Sequence, residues 1–137
     1  SEAQKREGGS IKHDISVPVS RVPDFLAQAS DAVQEFCPEA RLVAFGHLGD
    51  GNIHFNLMQP EGSDKTAFLA RWEELATIVH NIVISYGGSI SAEHGIGTLK
   101  KAELQRLKAP ASLHAMQLIK QALDPKGIMN AGVIFMG

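Results

Sequence analysis

The chain has 137 residues, a length that suits one domain with one core, and 44% hydrophobic against 20% charged residues is an ordinary globular composition. A formal net charge of −2 with no basic stripe argues against a nucleic-acid partner, and no apolar run approaches the ~20 residues of a membrane span, so no transmembrane segment is expected. The single cysteine, Cys37, excludes a disulfide framework and fits a reducing, cytoplasmic location, with peripheral attachment to an inner membrane as the variant. Residues 1–9 are polar, lack a signal-peptide pattern and read as a flexible tail or linker. The absence of an initiator Met suggests a chain cut from something longer.

In chain order, residues 11–19 alternate as a strand, with Ile11, Ile15, Val17 and Val19 on one face and Lys12, Asp14 and Ser16 on the other. Pro18 confines that strand to an edge or an end. Lys12 is a candidate functional residue, weighed against an ordinary solvated lysine. Ser20 can cap a helix with Pro23 in its first turn, and Val22, Phe25, Leu26, Ala29, Val33 and Phe36 form its core stripe. Residues 41–47 and 52–58 are the next two strands. Residues 65–86 give the clearest helix, stopped by Gly87-Gly88, with Trp72 in its apolar stripe and His80 on its solvated face. Residues 89–92 make a short fourth strand. Two further helices are expected over 99–107 and 110–123, then a turn at 124–127 and an extended apolar tail over 128–135 that should dock on this domain or another. The order strand, helix, strand, strand, helix, strand predicts an α+β fold: a ferredoxin-like βαββαβ antiparallel sheet with helices on one face, plus C-terminal helices and the tail.

Chemistry concentrates where Phe45-Gly46-His47-Leu48-Gly49-Asp50-Gly51-Asn52-Ile53-His54-Phe55-Asn56 reads as a hairpin turning at Asp50-Gly51. A two-residue type I′ turn there would place His47 opposite His54, with Cβ atoms roughly 4.5–5.5 Å apart. Two imidazoles so placed can share one divalent ion. His54 and Asn56 fall on one side of the sheet. Downstream, Ser91-Ala92-Glu93-His94-Gly95-Ile96-Gly97 offers a carboxylate and a third imidazole. His47, His54 and Glu93 would be a three-ligand set with a position left open for substrate. His94, titrating near neutral pH, suits a general base, and Asn56 can hydrogen-bond a substrate oxygen. The bland reading leaves the same histidines packing or capping turns. In a plain ferredoxin-like sheet the fourth strand ends away from the hairpin turn, so the site would have to reach along the sheet face.

Three separated motifs, Gly46-His47-Leu48-Gly49-Asp50-Gly51-Asn52-Ile53-His54, Ser91-Ala92-Glu93-His94-Gly95-Ile96-Gly97 and Leu123-Asp124-Pro125-Lys126-Gly127-Ile128-Met129-Asn130, resemble the C-terminal domain of FAD-linked oxidases. That family includes D-lactate dehydrogenases, D-2-hydroxyglutarate dehydrogenases and the flavin subunit of glycolate oxidase. Ile11-Lys12-His13-Asp14-Ile15-Ser16-Val17-Pro18 resembles its lysine-containing first strand, and the likeness covers the chain from about Gly9 onwards. It implies a domain at 10–137 that covers a flavin and supplies the substrate site, with FAD bound mainly by an N-terminal domain absent from this chain. The implied reaction oxidises a D-2-hydroxy acid to the 2-oxo acid and passes hydride to FAD. The resemblance places the metal, zinc or manganese, on His47, His54 and Glu93. It makes His94 the proton acceptor, Lys12 and Asn56 the substrate-orienting residues, and Asn130 a cofactor contact. The family's Asn-Pro-Gly-Lys near its end is Asn130-Ala131-Gly132-Val133 here.

Expected partners are therefore a small 2-hydroxy acid, an electron acceptor and the chain's own N-terminal FAD domain, and the apolar tail makes a homo-oligomer an open alternative. This chain alone should be redox-inactive. The rival is a stand-alone ferredoxin-like metal- or ligand-binding module without redox activity.

Overall fold

The computed structural model describes residues 8–135, which form two compact units, residues 8–94 and 95–135. The first holds strands β1 (Ser10–Ser16), β2 (Arg41–His47) and β3 (Asn52–Met58) and helices α1 (Val22–Phe36), α2 (Lys65–Ala70) and α3 (Trp72–Ser85). The second holds helices α4 (Lys101–Leu107) and α5 (Pro110–Leu123). The expected tail over residues 1–9 lies outside the described residues except for its last two, of which Gly9 accepts a bond from the Gln59 amide at 2.9 Å.

The sheet runs β1-β3-β2 with both pairings antiparallel. β1 and β2 therefore run the same way with β3 between them, which is the split βαβ arrangement. The α+β class holds, and the order is compatible with a ferredoxin-like fold. Alternation divides the sheet into two faces. Ile11, Ile15, Ile53, Phe55 and Leu57, all 5% exposed or less, face the helices. Phe25 of α1 meets Phe55 edge to face at 5.7 Å, and His80 of α3 meets His13 at 5.5 Å. Burying each such large apolar side chain contributes about 1.5–3 kcal/mol, so this face holds the unit together. On the opposite face, register places Lys12 against Asn56, Asp14 against His54, and Ser16 against Asn52 on one side of β3. Val43, Phe45 and His47 stand on the other side, against Asn56, His54 and Asn52.

Several local expectations change. The fourth strand shrinks to one antiparallel bridge, Ser16 with Ser89. Beyond it the Ser89 hydroxyl donates to the Ser91 carbonyl at 2.9 Å, a local bond that competes with a continuing ladder. Ser20 caps nothing, because it lies in a 3-10 turn, Val19–Arg21, and α1 starts at Val22 without a side-chain cap. The helix over 65–86 is broken at Arg71, whose amide bonds to Phe68 three residues back. The Arg71 guanidinium reaches the Phe36 carbonyl at 3.1 Å and lies 4.4 Å above the Phe36 ring, closing the end of α1. His80 is fully buried rather than solvated, because α3 turns that side onto β1. Trp72 is only half-buried. Cys37 is buried at the C-cap of α1.

In the second unit, residues 128–135 are bends and turns rather than an extended run. Positive φ at Asn130 (48°) and Ile134 (69°) breaks any strand there. Leu118, Ile119, Leu123, Ile128 and Met129 are all more than half exposed. Among the described residues no helix is long and apolar enough to cross a membrane.

Candidate functional site

The hairpin between β2 and β3 turns over four residues, not two. Leu48–Asp50 form a 3-10 turn closed by Gly51 in the left-handed region at φ 71°. Asp50 has no positive φ, so the type I′ geometry does not form. Gly51 is required twice over: its φ is strained for other residues, and a Cβ there would sit 2.0 Å from the Val17 carbonyl oxygen. That carbonyl belongs to the chain leaving β1, and the Val17 amide donates to Gly51 at 3.1 Å. The longer loop shifts the register, so His47 faces Asn52 and His54 faces Phe45. The two imidazoles are diagonal neighbours on one face instead of a direct pair.

Glu93 joins them. Its Oε1 lies 3.4 Å from His47 Nδ1 and its Oε2 lies 4.0 Å from His54 Nε2. Two donor atoms on one zinc-sized ion stand roughly 3.0–3.6 Å apart, given bond lengths of about 2.0–2.2 Å. Glu93 thus meets His47 within that spacing and His54 outside it, through different oxygens, and the nitrogen–carboxylate donor set suits a borderline divalent ion. Asn52 Nδ2 donates to Glu93 Oε1 at 3.4 Å. His47 is widely exposed, with 71% of its side chain accessible, whereas His54 is held at 25%. The Phe45 ring, 5.1 Å away, covers one side of His54.

The shortened fourth strand is what brings Glu93 here. Because pairing stops after Ser16–Ser89, residues 91–94 turn across the end of β1 beside the hairpin instead of continuing along β3. Gly88 permits the approach: a Cβ there would stand 2.2 Å from the Ser16 carbonyl oxygen. Asp14 then receives the loop. Its main-chain carbonyl accepts from Ala92 N at 3.2 Å, and its Oδ2 accepts from Glu93 N at 2.9 Å and His94 N at 2.8 Å. The His94 ring stands 6.0 Å from that of His54, edge to face. Among the described residues, Asp14, His54 and His94 are the group whose ligand atoms all lie within 4.8 Å of one another.

Of the residues singled out from sequence, Lys12, His47, His54, Asn56, Glu93 and His94 all belong to the first unit. Lys12 and Asn56 are cross-strand partners, the lysine exposed and the asparagine buried, one pair along from Asp14 and His54. Asn130 belongs to the second unit, on an exposed turn. Sequence reasoning gave Asp14 no role beyond its face and did not single out Asn52. The available signal was that Asp14 follows Lys12 by two positions, and so shares its face one step nearer the hairpin turn.

A model of the family described as FAD linked oxidases, C-terminal domain, matches residues 1–134. The chain is 44% identical over 124 residues to a D-2-hydroxyglutarate dehydrogenase of Stutzerimonas stutzeri, an alignment covering 90% of this chain and 27% of that protein. It is 39% identical over 131 residues to the mitochondrial D-2-hydroxyglutarate dehydrogenase of Bos taurus, covering 95% of the chain and 23% of that protein. To a D-lactate dehydrogenase of Archaeoglobus fulgidus it is 35% identical over 121 residues, covering 88% and 26%. The chain spans about a quarter of the length of these relatives.

Proposed function

From the premise that the chain belongs to the family of FAD-linked oxidase C-terminal domains, we propose that it is the substrate-binding and cap domain of a dehydrogenase that oxidises a D-2-hydroxy acid to the 2-oxo acid. Lactate, glycolate and 2-hydroxyglutarate are the substrate types considered. The observation that carries this is the shared sheet face on which Lys12, Asn56, His54 and His47 stand, with Glu93 and His94 of the following turn beside it.

Each group answers one need of such a reaction. The Lys12 ammonium is the cation for the substrate carboxylate, and its exposure leaves it free to meet one. Asn56, fixed in the central strand, can hydrogen-bond a substrate oxygen. The His94 imidazole accepts the hydroxyl proton as the carbon gives up hydride. FAD, held mainly by a domain outside this chain, is the hydride acceptor. His47, His54 and Glu93 are the residues that would hold a zinc or manganese ion, which when bound polarises the substrate hydroxyl and lowers its pKa. Their donor types suit that task, and Glu93 lies beside both histidines. The rival, a non-redox binding module, accounts for the histidine–glutamate cluster but gives no reason for the lysine–asparagine pair next to it.

The test is anaerobic addition of D-lactate, glycolate and D-2-hydroxyglutarate to the longer flavoprotein that carries this chain. Bleaching of the flavin band by at least one of them, with the L-enantiomer inert where one exists, is expected. A band that none of them bleaches in protein of full flavin content overturns the reading. A chelator should slow the reaction, with recovery on adding Zn²⁺ or Mn²⁺, if the cluster holds an ion.

A further inference from the structure

Three stretches far apart in the chain meet at the site: the first strand, the hairpin, and the turn after Ser91. One side chain touches the other two. Asp14 is 79 residues from Glu93 and 80 from His94, yet accepts the backbone amides of both at 2.9 and 2.8 Å on one oxygen. Its other oxygen stands 3.9 Å from His54 Nδ1. We propose that Asp14 is a positioning residue of this site, fixing Glu93 and His94 through their amides and His54 through its ring nitrogen. This rests on the reading of His54 and Glu93 as ligands and His94 as base.

The carboxylate is 90% buried at its side chain. A charge so withdrawn from water is tolerated only when hydrogen-bonded or paired. Two amide donors meet that need, and such charge-assisted bonds are roughly twice as strong as neutral ones. From the other side, Glu93 and His94 lie in a turn, where no helix or strand ladder takes up their amides. The Asp14 side chain thus ties that turn to β1 beside the bond from Ala92 N to the Asp14 carbonyl.

The His54 ring stands on the other side of Asp14. Its Nε2 faces Glu93 and its Nδ1 faces Asp14, two carboxylates on opposite nitrogens. When an imidazole binds a metal, its other N–H is ordinarily given to a carboxylate or carbonyl, which sets tautomer and ring orientation. At 3.9 Å Asp14 Oδ1 stands beyond hydrogen-bond distance of Nδ1, and a small closure on metal binding would let it take the Nδ1 proton and leave Nε2 with its lone pair toward Glu93. An aspartate serves both tasks because each oxygen accepts. Asparagine would aim an NH₂ either at two amide N–H groups or at the imidazole N–H. Lys12, two residues earlier on the same face, is left for substrate. The arrangement separates the group that binds from the group that holds the site in place.

The experiment uses the longer protein carrying this chain, with Asp14→Asn beside wild type and His54→Ala. Three quantities are read: Co²⁺ affinity and its visible d–d spectrum in flavin-free protein, amide exchange at residues 93 and 94, and kcat separately from KM. Asp14→Asn is expected to weaken Co²⁺ binding about 10–100-fold and to speed exchange at both amides, while far-UV circular dichroism is retained. It should lower kcat more than it raises KM, since Lys12 and Asn56 stay in place. Co²⁺ affinity, spectrum and exchange all equal to wild type would overturn the proposal. If wild type takes no Co²⁺, the ligand reading fails, and exchange at 93 and 94 alone then decides the role of Asp14. Should Asp14→Asn not fold, wild type still decides: amides at 93 and 94 exchanging as fast as an exposed turn refute the positioning bond.

Discussion

Each of the two compact units is organised around one buried aspartate, and the two work at opposite ranges. In the first unit Asp14 takes up amides 79 and 80 residues away, drawing a loop onto a strand whose register is already set by β3. In the second, Asp124 accepts Ile128 N at 3.0 Å and Met129 N at 2.9 Å, only four and five residues ahead, while Lys120, one helical turn back, supplies a cation. The surroundings differ as well. The first unit buries a core of Ile11, Ile15, Phe25, Phe55 and Leu57, whereas the second leaves Leu118, Ile119, Leu123, Ile128 and Met129 mostly in solvent. A site assembled from distant pieces needs a rigid frame beneath it. A turn that carries its own partners does not.

The sharpest way to break that comparison is to act on the chemistry of the first unit while sparing its frame. On the proposed reading, His54→Ala should abolish ion binding and reduce turnover severely, because His54 stands between Glu93 and Asp14. His94→Ala should leave metal content unchanged and lower kcat roughly 10²–10⁴-fold, the usual contribution of a positioned general base. Metal analysis alongside steady-state kinetics separates the two. Equal loss of metal in both would mean that His94 is itself a ligand, consistent with its grouping with Asp14 and His54. Next in size is the frame. Phe55→Ala empties the centre of the helix-side core, where the ring meets Phe25 and His13. It should cost about 3–5 kcal/mol in urea denaturation. A cost below about 1 kcal/mol would show that the sheet is not what holds the site in shape.

The same contrast explains what could be read from residues alone. Much of the local pattern was legible, though the Ser20 cap, the unbroken helix over 65–86 and the extended tail were not. The alternation of β1 and β3, the core stripe of α1 and the bounds of α5 all follow from periodicity within a few residues, and so does the placing of Lys12 and Asn56 on one face. What else failed depended on partners elsewhere. Asp50-Gly51 promised a two-residue turn, but Gly51 is committed to the chain leaving β1, and the loop lengthens to meet it. His80 looked solvated because its burial depends on which side of α3 lies against β1. The fourth strand ended early because Ser89 bonds its own neighbour and Asp14 claims the next amides. That truncation removed the difficulty of reaching along the sheet, since Glu93 stays at the hairpin end. Asp14 escaped notice for the same reason: its partners are 79 and 80 residues away, and no local pattern announces them.

The smallest expected effect lies in the second unit and follows from charge. Lys120 first, and then the Met129 and Ile128 amides, hold the Asp124 carboxyl below the usual carboxylate range. A carboxyl whose pKa is lower in the folded state contributes stability that is fully present above the unfolded value, about 3.9. That stability is lost as pH falls through the folded value. At neutral pH the turn over 124–130 is therefore held, and acid should release it below the range where most exposed carboxylates protonate. The protection of amides 128 and 129, which is exchange corrected for its intrinsic pH dependence, should fall at the acid end and stay flat between about pH 5 and 8. Asp124→Asn should abolish that acid step, since no titrating group remains, and exchange should be faster throughout. Because the bonds are local, the first unit's ion affinity should not follow. If the Asp124→Asn protein also lost affinity at His47, His54 and Glu93, the two aspartates would be parts of one device, and the division between a long-range and a short-range tie would fall.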